Sequence, residues 1–163
     1  MTVQYNINAW RNEVEVILNK MQELPNFPKG RTGGYLAATE IASDELVCLV
    51  RAGKILTGNG KAYEKYAPEK THRLHLMHHS CGHFSSFQSE NEALNMYAGA
   101  IKTDYLYIGF SGLTPALADE ALCLIFSIER ELISRGGADN IAAISDNKFY
   151  RDYLSMFKII HHS

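Results

Sequence analysis

The stretch from Tyr105 to Leu132 constrains this chain more than any other. It starts as a strand. Leu106, Ile108 and Phe110 point one way and Tyr105 and Tyr107 the other, which is the two-residue period of a pleated ribbon. Ser111-Gly112 offers a turn, and Thr114 and Pro115 suit the N-cap and first position of a helix. Leu117, Ala121, Leu124, Ile125, Ile128 and Leu132 then form one apolar stripe. Asp119 and Glu120 fall near the positive end of that helix, and Arg130 and Arg135 near its negative end. Gly136-Gly137 supplies a stop. Such a unit needs a sheet with a helix packed on its face.

The remaining elements suit that demand. Trp10, Val14, Ile17, Leu18 and Met21 mark a helix over Asn8 to Leu24, halted by Pro25 and Pro28. Tyr35 to Ala42 and Leu46 to Val50 read as strands about a Ser43-Asp44 turn. Lys61 to His79 is helical in composition, with Pro68 starting a new helix or kinking the first. Phe84 to Gln88 reads as extended, and Met96 to Ile101 pairs with Tyr105 to Ser111 across Lys102-Thr103-Asp104. A last helix spans about Asn147 to Ile160, with Phe149, Tyr153, Met156, Phe157 and Ile160 on one face. Antiparallel hairpins separated by helices define an α+β fold. The expected architecture is a central antiparallel sheet of about five strands flanked by helices. It forms one domain over 1-163, with a core over 1-138 and a helical tail over 139-163.

Ala98-Gly99-Ala100-Ile101, then Ile108 through Thr114-Pro115, then Asp119-Glu120-Ala121 resemble a stretch of the GlcG/HbpS-like domains, which have the profilin-like fold. Lys61-Ala62-Tyr63 is similar to a short element of that family's middle helix. The two matching segments, 98–121 and 61–63, span about thirty residues in all. The resemblance implies a domain that binds a small ligand, haem in some members, or assembles into oligomers. It transfers no binding residue. The chain departs from the family in its histidine-rich centre and long C-terminal tail. Roadblock-type adaptor domains share the element order, so an adaptor reading stands beside the ligand-binding one.

Composition narrows the partners. Net charge is −2, and the basic residues Lys54, Lys61, Lys65, Lys70 and Arg73 are scattered, which argues against nucleic acid as a partner. No signal-like leader and no apolar run long enough to span a bilayer is present, so no membrane association and a cytoplasmic location are expected. Cys48, Cys81 and Cys123 contain no CxxC pair and build no disulfide framework. Cys48 and Cys123 lie in apolar runs, as core residues do.

Several places could carry chemistry. His72, His75 and His79 fall within about 60° on a helix, with His78, Cys81 and His83 beside them. Imidazoles at i and i+4 can share a transition metal such as zinc. A metal-binding protein or metal-dependent enzyme would use His72, His75, His79, Cys81 and His83, and convergence with a carboxylate such as Glu90 or Glu92 would favour it. The HExxH pattern is absent, so no glutamate base is built in. Clustered imidazoles would also repel one another when protonated. Gly109-Phe110-Ser111-Gly112 lacks the last glycine of a nucleophile elbow, so Ser111 is expected to serve the turn. Arg31 or Lys61, in glycine-rich loops without a P-loop pattern, could meet an anion. Tyr63, Tyr66, Tyr105 and Tyr107 are candidate pocket walls. The reading preferred is a non-catalytic domain binding a small molecule or a protein, with Tyr105, Tyr107 and Ser111 at the ligand. The alternatives are the metal site and a homo-oligomeric assembly domain, the latter a homodimer through the tail helix.

Overall fold

The structure, a computed structural model, describes residue 3 and residues 5–159. Helix α1 (Ile7–Met21) is followed by strands β1 (Thr32–Glu40) and β2 (Leu46–Lys54) and by helix α2 (Gly60–Cys81). Two short 3-10 turns lead to β3 (Ala100–Lys102) and β4 (Leu106–Ser111), and helices α3 (Ala116–Glu129), α4 (Arg135–Ser145) and α5 (Lys148–Met156) complete the chain. The sheet is antiparallel throughout, in the order β2-β1-β4-β3. The fold is α+β, with four strands among the described residues where about five were expected.

The missing strand is Phe84 to Gln88. Ser85 keeps a single bridge to Ile101, but Ser86–Ser89 coils into a 3-10 turn. The Ser85 hydroxyl accepts from the Phe87 N–H at 3.1 Å, and the Gln88 side chain accepts from the N–H groups of Phe84 and Ser85 at 2.8 and 3.1 Å. This local capping outcompetes strand pairing. Nearby, β3 is only three residues long, because Met96 bridges back to Asn91 and the Glu90 carboxylate takes the Ala98 N–H at 3.1 Å.

The C-terminal third also differs from expectation. Helix α3 starts at Ala116 behind Pro115 and closes at Glu129, where Glu131 turns into left-handed backbone at φ 56°. Gly136-Gly137 does not end α3. Both lie in the first turn of a separate helix, α4, whose Ser134 cap accepts from the Gly137 N–H at 3.0 Å. Asn147 caps α5 in the same way, accepting from Tyr150 at 3.1 Å. The buried residues of α5 are Tyr150 and Tyr153, while Met156 is exposed. Ile160 lies outside the described residues. Helix α2 is continuous through Pro68. The carbonyl left without a donor is that of Glu64, an exposed residue, where water can replace the lost bond.

The two faces of the sheet are unlike. On one, Leu36, Ala38, Val50, Ile101, Ile108 and Phe110 pack against α1 and α3 in a large apolar core, to which α4 and α5 add Ile141, Ala142, Tyr150 and Tyr153. On the other lies α2 alone. A row of small residues, Ala37, Gly109 and Ala100, runs across the strands beneath it. A side chain at Gly109 would meet Thr71 Cγ2 at 2.8 Å and the Ala67 carbonyl at 3.1 Å, so the helix sits close to bare backbone. The buried apolar cluster here is only Leu74, Ala100 and Tyr107, with Ile41 at its margin. Much of what is buried under α2 is polar, including a Thr39–Thr71 hydroxyl pair at 2.8 Å. No helix among the described residues is long and apolar enough to cross a membrane.

Candidate functional site

The polar side of the sheet opens into a cleft where α2 passes the end of β4 and the start of α3. Ala67, Lys70, Thr71 and Leu74 are buried on α2, placing Lys70 over the strand end. Its Nζ donates to the Phe110 carbonyl at 2.8 Å and to Asp119 Oδ2 at 3.0 Å. Asp119 Oδ1 accepts the Leu113 N–H at 2.8 Å. The two charged side chains are 2% and 4% exposed. Burial pushes the Asp119 carboxyl up to about 6, with Lys70, the Leu113 N–H and Arg31 pulling the other way. An ion pair this dry costs desolvation that the Coulomb attraction barely repays.

Above the pair is a cleft of about 340 Å³, walled by Arg31, Tyr63, Tyr66 and Tyr97, with Glu92 at an exposed position and the backbone from Ser111 to Ala116 as its floor. Gly112 permits that floor. It holds φ 152°, and a Cβ there would lie 2.3 Å from the Gly33 carbonyl oxygen. Arg31 is set by its neighbours: Gln22 Nε2 donates to its carbonyl at 2.7 Å, and its guanidinium donates to the Tyr63 hydroxyl at 2.6 Å. Tyr63 in turn shares a 3.1 Å bond with Thr57. Tyr66 and Tyr97 meet edge to face at 5.8 Å. Tyr97 is held by Arg73, which donates to its carbonyl at 2.6 Å, to Ser89 Oγ at 2.6 Å and to Glu69 at 2.8 Å.

The three residues expected at a ligand do not come together. Ser111 lines this cleft. Tyr107 is fully buried beneath α2, its ring edge-on to His75 at 5.3 Å and its hydroxyl without a partner. Tyr105 precedes β4 and packs against the large core, beside a separate hollow with Tyr5 and Glu40. The strand alternation does not reach back into the turn. In contrast, Tyr63 and Tyr66, two of the four candidate pocket walls, converge here with Arg31, the candidate for an anion.

The described histidines do not meet at one point. His72 Nδ1 lies 2.6 Å from Asp44 Oδ2. His75 and His79 have ring centroids 4.6 Å apart, and His78 Nδ1 is bonded to the His83 carbonyl at 2.8 Å. Cys81 is exposed. Glu90 serves Ala98, and Glu92 lines the tyrosine cleft. Among the described residues, no group of three or more His, Cys, Asp or Glu side chains is arranged to hold a metal ion. The set His72, His75, His79, Cys81 and His83 is therefore not a formed ligand shell.

Lys70, Asp119 and Tyr97 escaped sequence reasoning as site residues. A signal existed for the first two. Lys70 stands three after Ala67 and four before Leu74, on the buried side of α2, and Asp119 stands four before Cys123 and seven before Phe126 on α3. A single charge on an otherwise buried helical face needs a partner. A second buried carboxylate, Glu120, has a different use. It accepts from Ser85, Ser145 and Asn147, tying the 3-10 turn and the tail helices to α3. A larger hollow of about 560 Å³ lies between α4 and α5, but its charges pair among themselves, Arg135 with Asp139 and Arg151 with Asp146. No family model, no curated protein and no solved structure matches this chain.

Proposed function

We propose that the chain is a non-catalytic, profilin-like domain that binds a small molecule in the cleft of Arg31, Tyr63, Tyr66, Tyr97, Lys70 and Asp119. One observation carries this reading: a buried ion pair lies beneath a concave, aromatic-walled space. Pockets for small ligands have this mix of apolar wall and a few placed polar groups, and begin at about 300 Å³. The resemblance to GlcG/HbpS-like domains leads in the same direction. The cleft lining contains no histidine or cysteine, and the Lys70 ammonium is engaged with Phe110 and Asp119. Among the described residues no hydrogen-bonded nucleophile–base couple lines the cleft, which fits a binding reading.

A fragment screen by saturation-transfer NMR tests the proposal, with hits mapped on backbone amides. Hits should shift Gly112 and Leu113, and Tyr66→Ala and Tyr97→Ala should weaken them while the protein stays folded. Hits that map instead to the α4–α5 hollow or to the histidines would overturn it.

A further inference from the structure

Resting on that reading of the cleft, we infer that its ligand is a small aromatic anion, a carboxylate or a phosphate ester. Its charged group sits on Arg31 and its ring lies against Tyr66 and Tyr97.

The inference comes from charge accounting around the cleft. Four ionisable side chains other than tyrosine line it: Arg31, Lys70, Glu92 and Asp119. Lys70 and Asp119 cancel each other, and both Asp119 oxygens are occupied, one by Lys70 and one by the Leu113 N–H. Asp119 therefore has little to offer a ligand cation. Glu92 is exposed, where water screens it. Arg31 differs from both. It is half-buried, and among the described residues it has no carboxylate within ion-pair distance. Its side-chain partner is the neutral Tyr63 hydroxyl. A guanidinium has five donors in a planar fork matched to carboxylate and phosphate, and here most are unspent.

The position of Arg31 is also prepared. Gln22 fixes its backbone and Tyr63 its head, so little side-chain freedom is lost when an anion arrives. Helix α3 begins at the same cleft, and its Pro115 cap position provides no side-chain acceptor. The positive end of that fourteen-residue helix faces the same cleft, with Asp119 in its first turn offsetting part of its field. The edge-to-face Tyr66–Tyr97 pair offers an aromatic wall on which a planar ring packs well.

Isothermal titration and amide-shift mapping with benzoate, phenyl phosphate and uncharged benzamide test the inference on the whole chain. At least one anion should bind and shift the Gly112 and Leu113 amides, and the tighter of the two identifies the head group. Arg31→Gln should weaken that binding about tenfold or more, the usual weight of a charged hydrogen bond. Arg31→Lys should fall between, and Arg11→Gln, an arginine bonded to Asn8 and Arg51 away from the cleft, should change nothing. Circular dichroism confirms that each variant is folded. If benzamide shifts the same amides as strongly and Arg31→Gln binds unchanged, the anion inference falls while the cleft reading stands. If neither anion shifts the cleft amides, the inference falls, and the fragment screen decides the cleft separately.

Discussion

Replacing Lys70 by Met should destabilise the protein in a manner that depends on pH. In the wild type, Asp119 titrates at about 6 because burial outweighs the help it receives from Lys70. Removing Lys70 removes the strongest opposing pull, so the Asp119 carboxyl rises further. An acid whose folded pKa exceeds its unfolded value of about 3.9 stabilises the fold when protonated and loses that contribution as pH rises through the folded pKa. Below pH 6 both proteins hold Asp119 largely protonated, and they should differ by about 1 kcal/mol or less, the value of a donor lost to the Phe110 carbonyl. Above it the variant alone keeps losing stability, at about 1.4 kcal/mol per pH unit, until the pH reaches its own, higher carboxyl pKa. The expected deficit at pH 8 is about 3 kcal/mol, in line with breaking a buried pair and a large part of a stability of roughly 5–15 kcal/mol. Urea denaturation at pH 5, 6.5 and 8 measures this directly, read by the fluorescence of Trp10, the chain's single tryptophan, which is buried against Phe126. Adding Asp119→Asn to Lys70→Met should erase the pH dependence. A deficit equal at pH 5 and pH 8, or below about 1 kcal/mol at pH 8, would refute the reasoning.

Glu120→Leu removes the acceptor from Ser85, Ser145 and Asn147, and should cost about 3 kcal/mol or more in the same denaturation assay. Gly112→Ala places a Cβ 2.3 Å from the Gly33 oxygen; thermal melting should show a loss of about 2–4 kcal/mol together with altered cleft amides. Tyr107→Phe deletes a buried hydroxyl that has no partner, and should be neutral or stabilising by up to about 1 kcal/mol, whereas a loss of that size would mean the hydroxyl is bonded in solution. Protein purified without an affinity column should contain far less than one zinc per chain by elemental analysis, since the described histidines do not form a ligand shell.

The parts of the fold legible in the sequence are those set by local period and caps. The α1 stripe from Trp10 to Met21, the β1–β2 hairpin and the inward alternation of Leu106, Ile108 and Phe110 appear where periodicity places them. The failures occur where a short-range hydrogen bond beats a pattern. Ser134 makes a helix start out of the Gly-Gly that looked like a stop, and Ser85 with Gln88 makes a 3-10 turn out of an apparent strand. Of the cleft, Arg31, Tyr63, Tyr66 and Ser111 were visible as separate candidates, but nothing in the one-dimensional order says that β4, α2 and the loop before β1 meet. Lys70 and Asp119 are forty-nine residues apart, and the packing of α2 across the end of β4 brings them together.

The unequal faces of the sheet make this molecule mechanically two-part. The face carrying α1 and α3 is held mainly by apolar area, whose strength is nearly indifferent to salt and proton concentration, with the buried Glu120 carboxylate as a polar tie. The α2 face is held by a three-residue apolar cluster, an ion pair, a hydroxyl pair and the Arg73 clasp on the 86–97 segment. The ion pair among them titrates with Asp119, so α2 is the element expected to loosen first as pH changes. Amide exchange would record it as a unit opening below the global free energy, ahead of β1 and β4. A ligand bridging Arg31 and the start of α3 would sit across that seam. Occupancy would then register as slower breathing of one helix, with the apolar half of the molecule unchanged.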